Sequence, residues 1–190
     1  MTPACPPAAG TGGARGYGGA VALFSRRRRL PDDLRRVLDL RGDAILATAP
    51  LDDGRWLVAT RRALHLVSDA GAARTAWAAV DRGSLDASSR TLTVHWVSGA
   101  RAELVLAPDV DAWDLSQAFR ERVQRSVVHV EHVSLPGGGS PVRVALRRDE
   151  DGGLFTQVIG DGTVDLEEPD VARRVARAEA HVRAEAGLAP

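Results

Sequence analysis

Between Gly42 and residue 107 the chain alternates apolar and polar residues with a period of two, in short runs broken by turn signals. Few architectures accept such a pattern. The most regular run is 91–97, with Leu92, Val94 and Trp96 on one side and Thr91, Thr93 and His95 on the other. Ser98-Gly99 turns it, and Ala102, Leu104 and Leu106 continue the alternation. Upstream, a short apolar run at 44–49 meets the turn Leu51-Asp52-Asp53-Gly54. Strands over 55–60 and 63–67 flank Arg61-Arg62, and the turn Asp69-Ala70-Gly71 leads to two more, at 73–78 and 79–86. About seven short strands at close spacing predict an antiparallel sandwich or barrel.

The period then changes. Pro108-Asp109 reads as a helix start with Asp109 as N-cap, and Ala112, Leu115, Phe119 and Val123 form one apolar stripe. The spacing predicts an amphipathic helix over 110–125 that needs a barrel opening or sheet face to cover. A smaller block follows. A strand is expected over 127–135, then the loop Pro136-Gly137-Gly138-Gly139-Ser140, then strands 142–147 and 154–159 around an acidic turn. Pro169 opens a last helix with the stripe Val171, Val175, Ala178 and Val182, ion pairs of Asp170 with Arg174 and Glu179 with Arg183, and Gly187 as its stop. The expected fold class is α+β, mainly β: a barrel capped by a helix, plus a strand-and-helix extension.

Four segments are expected: 1–25, 26–42, 43–126 and 127–190. Residues 1–25 are low-complexity, and 1–20 are rich in Gly, Ala and Pro with little to bury. A GTG codon can start a bacterial gene, so we expect the protein proper to begin at Val21. Intact mass of the native protein tests this. The segment 26–42 is basic and carries a short helix over 31–40, where Leu30, Leu34, Val37 and Leu38 recur at helical spacing behind Pro31.

Hydrophobic residues make up 44 % of the chain, enough to build a sizeable core. All 25 basic residues are Arg, balanced by 25 acids, and neither Lys nor Asn occurs. This composition points to a high-GC genome. It also weakens any argument that an Arg was chosen over Lys for bidentate recognition. The single Cys5 excludes an internal disulfide and a cysteine-based zinc cluster. No apolar run reaches the length of a membrane-spanning helix, and the N-terminus lacks the order of a secretory signal, so the expected location is cytoplasmic.

One stretch carries a resemblance. Trp56-Leu57-Val58-Ala59-Thr60-Arg61-Arg62-Ala63-Leu64 is similar to the second and third strands of bacterial pleckstrin-homology-like (PH-like) domains of actinobacterial type, where Thr and Arg sit just before a Leu. Ala73-Arg74-Thr75-Ala76-Trp77-Ala78-Ala79-Val80 resembles the strand pair that follows. The resemblance covers 43–126 and implies seven strands closed by one helix. Lipid-binding members carry basic residues in the first hairpin loop. Here that loop is acidic, so lipid head-group binding is not carried over. The family is a scaffold with many uses.

The catalytic signatures sought are missing. There is no Gly-x-Ser-x-Gly elbow, and a chain without Lys can hold no Lys-bearing phosphate loop. His65 and His95 each alternate with apolar residues and are expected to point away from the core. His129 and His132, three apart on a strand, fall on opposite faces, and His181 sits in the last helix. These are read as exposed or hydrogen-bonded histidines. Asp149, Asp151 and Gly152 hint at a calcium loop, but the twelfth position is Gly160, so the acidic turn is read as solvated. Trp56, Trp77, Trp96 and Trp113 are expected to fill the core. The expectation is therefore no enzyme, no metal and no cofactor.

The sharpest charge feature is Arg26, Arg27, Arg28 and Arg29, which follow the apolar segment 21–24. A solvated basic arm explains them best. As a functional site they would give weak, salt-sensitive contact with an anionic surface, placing the protein peripherally at the inner face of the membrane. Nucleic acid is the less favoured partner. The leading expectation is a non-enzymatic adaptor that binds another protein or peptide, at a sheet edge or in a groove beside the 110–125 helix, with peripheral membrane association through 21–29 and an enzyme of unrecognised type as the alternatives.

Overall fold

The computed structural model describes residues 29–135, 142–160 and 162–188. Segment 1–25, Arg26, Arg27, Arg28 and the glycines at 137–139 lie outside them, while Arg29 is exposed. The described residues form an α+β protein, mainly β. In chain order come α1 (Asp32–Val37), β1 (Ile45–Pro50), β2 (Trp56–Thr60), β3 (Ala63–Ser68) and β4 (Gly71–Ala76). A 3-10 turn (Trp77–Ala79) leads to β5 (Val80–Asp86), β6 (Thr91–Trp96), β7 (Arg101–Val105) and α2 (Trp113–Ser126). The chain closes with β8 (Val127–Val133), β9 (Val142–Arg148), β10 (Leu154–Ile159) and α3 (Pro169–Glu185).

The strands form three antiparallel sheets, ordered β1-β2-β3-β4, β5-β6-β7 and β10-β9-β8. The first two meet at one corner. Leu51 bridges Leu106, the Asp52 N–H donates to the Val105 carbonyl at 3.0 Å, and the Ala107 N–H donates to the Pro50 carbonyl at 3.0 Å. At the other end the 3-10 turn carries the chain from β4 to β5, and these strands remain the outer edges of their sheets. The enclosure is therefore joined on one side and open on the other.

Each sheet has an apolar reason for its place. The first core gathers Leu57, Leu64, Val80, Val94, Leu106 and Phe119 between the two sheets and α2. Trp77 meets Phe119 edge-on, ring centroids 5.5 Å apart at 87°, the favoured aromatic geometry. β2 is buried along its whole length because both its faces are covered. Leu57 and Ala59 face the first core, while Trp56 and Val58 face Leu30, Leu34 and Leu38 around α1. A strand covered on both faces reads as an unbroken apolar run instead of an alternation. In the extension, Val142, Val144 and Leu146 of β9 pack against Val171, Val175, Ala178 and Val182 of α3.

The extension is riveted to the first two sheets through β9. Arg147 is 1 % exposed, and one of its terminal nitrogens donates to the carbonyls of Trp77 (3.1 Å) and Val80 (2.7 Å). Arg143, also on β9, pairs with Asp81 of β5 at 2.8 Å. Glu150, in the turn after β9, pairs with Arg74 of β4.

Several expectations are corrected. Asp109 has φ +62, a left-handed conformation that an N-cap does not use, and α2 starts four residues later, where the Asp111 carboxylate accepts the Trp113 N–H at 2.9 Å. Trp113 is 66 % exposed, because it stands two residues from Leu115 and so on another side of the helix. α1 is shorter than 31–40 and leaves Val37 exposed, since Leu38 already has extended dihedrals. Asp170 pairs with Arg173, one residue earlier than expected. His65 is buried at 4 % exposure, because the first sheet packs on both sides of β3 and the alternation there does not mark a solvent face.

Candidate functional site

β5 and α2 frame a groove. β5 pairs with β6 on one side only, so its other backbone edge is free of strand partners. α2 lies close beside it because position 83 is glycine. A Cβ there would stand 2.4 Å from Cε1 of Phe119, inside van der Waals contact, so only glycine allows this approach. Leu85 of β5, Leu92 of its neighbour β6 and the helix face with Phe119 and Val123 enclose a groove of about 320 Å³. Leu92 and Phe119 are buried, and Leu85 and Val123 are half-buried. The floor is apolar and partly open.

Charge is distributed unevenly around the groove. Arg82 and Arg120 line it. Arg82 pairs with Asp81 at 3.1 Å, whereas Arg120 is exposed and has no ion-pair partner among the described residues. At the far end of β5, Asp86 accepts from the hydroxyl of Ser88 at 2.7 Å and its amide at 2.8 Å. Those hydrogen bonds, the hydroxyl's foremost, hold the Asp86 carboxyl below the usual range. The groove thus has a cationic flank.

The histidines lie elsewhere. His129 and His181 both approach Glu185, at 3.2 and 3.4 Å, which ties β8 to α3. His65 Nε2 lies 3.4 Å from Thr60 Oγ1. Among the described residues no three His, Cys, Asp or Glu side chains gather as a metal centre requires. The Asp149 carboxylate is used internally, accepting the N–H groups of Asp151 (2.9 Å) and Gly153 (2.7 Å). In the first hairpin turn, Arg55 pairs with Asp53 at 2.5 Å, and its hydrogen bond lowers that carboxyl's pKa. No helix among the described residues is long and apolar enough to cross a membrane.

The groove was legible in part. The stripe Leu115, Phe119 and Val123 marked one wall. The glycine that draws β5 to the helix gave no sequence signal, because Gly83 sits in an ordinary strand run. No family model, curated protein or solved structure matches the chain.

Proposed function

We propose that the chain is a non-enzymatic binding module whose first seven strands and α2 form a PH-like, partly open barrel, and that it holds an extended peptide of a protein partner in the groove between β5 and α2. The observation that carries this reading is an unpaired strand edge beside a half-open apolar floor. The edge offers main-chain hydrogen bonds and the floor offers side-chain specificity, the two components of strand addition. The seven-strand-then-helix order and the Leu51 to Leu106 junction support the PH-like reading. The partner segment would place an apolar side chain over Leu85, Phe119 and Val123, and an acidic side chain near Arg120.

The test is peptide selection from a random displayed library on the full chain, followed by amide hydrogen exchange. Selected peptides are expected to alternate apolar and acidic residues and to protect backbone amides over 82–86. Val123→Arg, which fills the groove with charge at a half-buried position, should abolish binding without unfolding the chain. Peptides that bind Val123→Arg equally well, or that leave 82–86 unprotected, would refute the reading.

A further inference from the structure

A second concave site lies where the extension meets the first two sheets. Four segments distant in sequence converge on a cleft of about 360 Å³. The turn after β2 brings Arg61 and Arg62, the last turns of α2 bring Arg122 and Arg125, and the end of β9 brings Arg148. The turn from β9 to β10 brings Asp149, Glu150 and Asp151.

The carboxylates do not neutralise this cluster. Glu150 is engaged by Arg74, and Asp149 caps the amides of its own turn. Asp151 stands 3.7 Å from Arg62. Arg122 and Arg125 share one oxygen of Glu121, each at 2.8 Å. Arg61 and Arg148 are left with no carboxylate partner among the described residues. Arg122 is more telling still. Its side chain is 14 % exposed, and its Nε is buried with no hydrogen-bond partner.

In a chain without Lys, the presence of Arg proves little. The convergence of five on one cleft, with two unpaired and a third holding a stranded donor, is a matter of geometry. Positive charge arriving from three separate segments, with Arg61 and Arg148 unpaired, suits a tetrahedral dianion with acceptor oxygens pointing several ways. It suits a planar carboxylate less well, since a single guanidinium satisfies one. The volume lies at the low end for small-molecule sites, too small for a long chain.

We propose that this cleft binds a small soluble phosphate monoester through Arg61, Arg122 and Arg148. The ligand would touch the first sheet, α2 and β9 together, and so bind most tightly when the extension is docked. Ligand occupancy and docking would then be linked, each favouring the other.

The experiment is calorimetric titration of the full chain with glycerol 3-phosphate and inorganic phosphate at constant ionic strength. Acetate serves as the carboxylate control, and phosphatidic acid vesicles as a second arm. Saturable binding of the ester is expected, with acetate much weaker. The exposed changes Arg61→Gln and Arg148→Gln should each weaken it by roughly tenfold or more, the loss of a charge-assisted hydrogen bond. Arg82→Gln, outside the cleft, should leave it unchanged. No saturable binding at millimolar ester would overturn the proposal. So would binding that survives the Arg61→Gln/Arg148→Gln double change, or capture by vesicles where the soluble ester has no effect.

Discussion

α2 and α3 do the same job with different completeness. Each is an amphipathic helix laid on an antiparallel sheet. In α3 all four stripe residues are buried, Glu168 accepts the N–H groups of Asp170 and Val171, and the end closes on Gly187. There the Leu188 N–H reaches back to the Arg183 carbonyl at 2.9 Å and the Gly187 N–H to Ala184 at 3.0 Å, a Schellman stop. α2 begins without a side-chain bond from its N-cap, buries Leu115, Ala118 and Phe119, and leaves Val123 half-covered over a groove. A helix matched along its length closes a core, and one that overruns its sheet leaves a slot where something else can bind. On this comparison α3 is a structural closure, and the β5–α2 groove is the part that we propose receives a peptide.

The sharpest way to break the comparison is to cut the rivet between the two units. Arg147→Ala removes the guanidinium donor from the Trp77 and Val80 carbonyls, of which Trp77 keeps the Val80 N–H, and opens a void at a fully buried site. Hydrogen bonds to a charged group contribute about 1.5–3 kcal/mol each, and the void adds a further cost. All four tryptophans precede residue 127, so their fluorescence reports the first unit alone, whereas far-UV circular dichroism also reads α3. In urea the two signals should coincide for the unaltered chain. They should separate for Arg147→Ala, with the first unit losing stability. Coincident, unshifted transitions would mean that the buried guanidinium does not couple the units.

The rivet also shows what could be read from the sequence. Periodicity exposed every strand, both long helices and the α3 stripe, because each depends on neighbours within a few residues. Arg147 reads only as the last residue of the strand at 142–147, since nothing local says that Trp77 and Val80, far upstream, supply its acceptors. The two concave sites were hidden for the same reason. Phe119 and Gly83 meet across 36 positions, by their numbering, and the arginine cleft draws on four separate segments. Alternation also misled at His65, where a strand covered on both sides keeps its polar residue inside.

A smaller effect should follow at the groove itself. Gly83→Ala puts a methyl group 2.4 Å from the Phe119 ring, so α2 must shift or the ring must leave its rotamer. Overpacking of this kind costs about 1–3 kcal/mol. It should also lower peptide affinity through the altered groove. A Gly83→Ala chain with the original urea midpoint would show that the helix does not rest on β5 as closely as described.

In the extension, Glu168→Ala removes the acceptor for two amides at the start of α3. Loss of a helix cap costs about 1 kcal/mol. The change should shift the circular dichroism midpoint with little movement in tryptophan fluorescence if the variant's units separate, and shift both equally if they remain one cooperative body. Either way peptide affinity should hold, since α3 does not line the groove.

The effect expected to vanish at neutral pH belongs to His65. Its Nε2 is 3.4 Å from Thr60 Oγ1, and the Thr60 hydroxyl already donates to the Ala63 carbonyl at 2.8 Å, so the ring nitrogen is the donor. Burial, and then the positive Arg74 directly across the β3–β4 ladder, depress its pKa, with Asp43 opposing. The folded chain therefore resists protonation while the unfolded chain accepts it near the ordinary value of 6.5. Proton uptake by the unfolded state alone costs stability, so stability should be constant above about pH 7 and decline as pH falls through 6.5 toward the lower folded value. Urea midpoints followed in tryptophan fluorescence down to pH 5, above the main carboxylate range, should show this slope, and His65→Gln should flatten it. Stability that rises on acidification, or a slope that persists in His65→Gln, would remove His65 as its source.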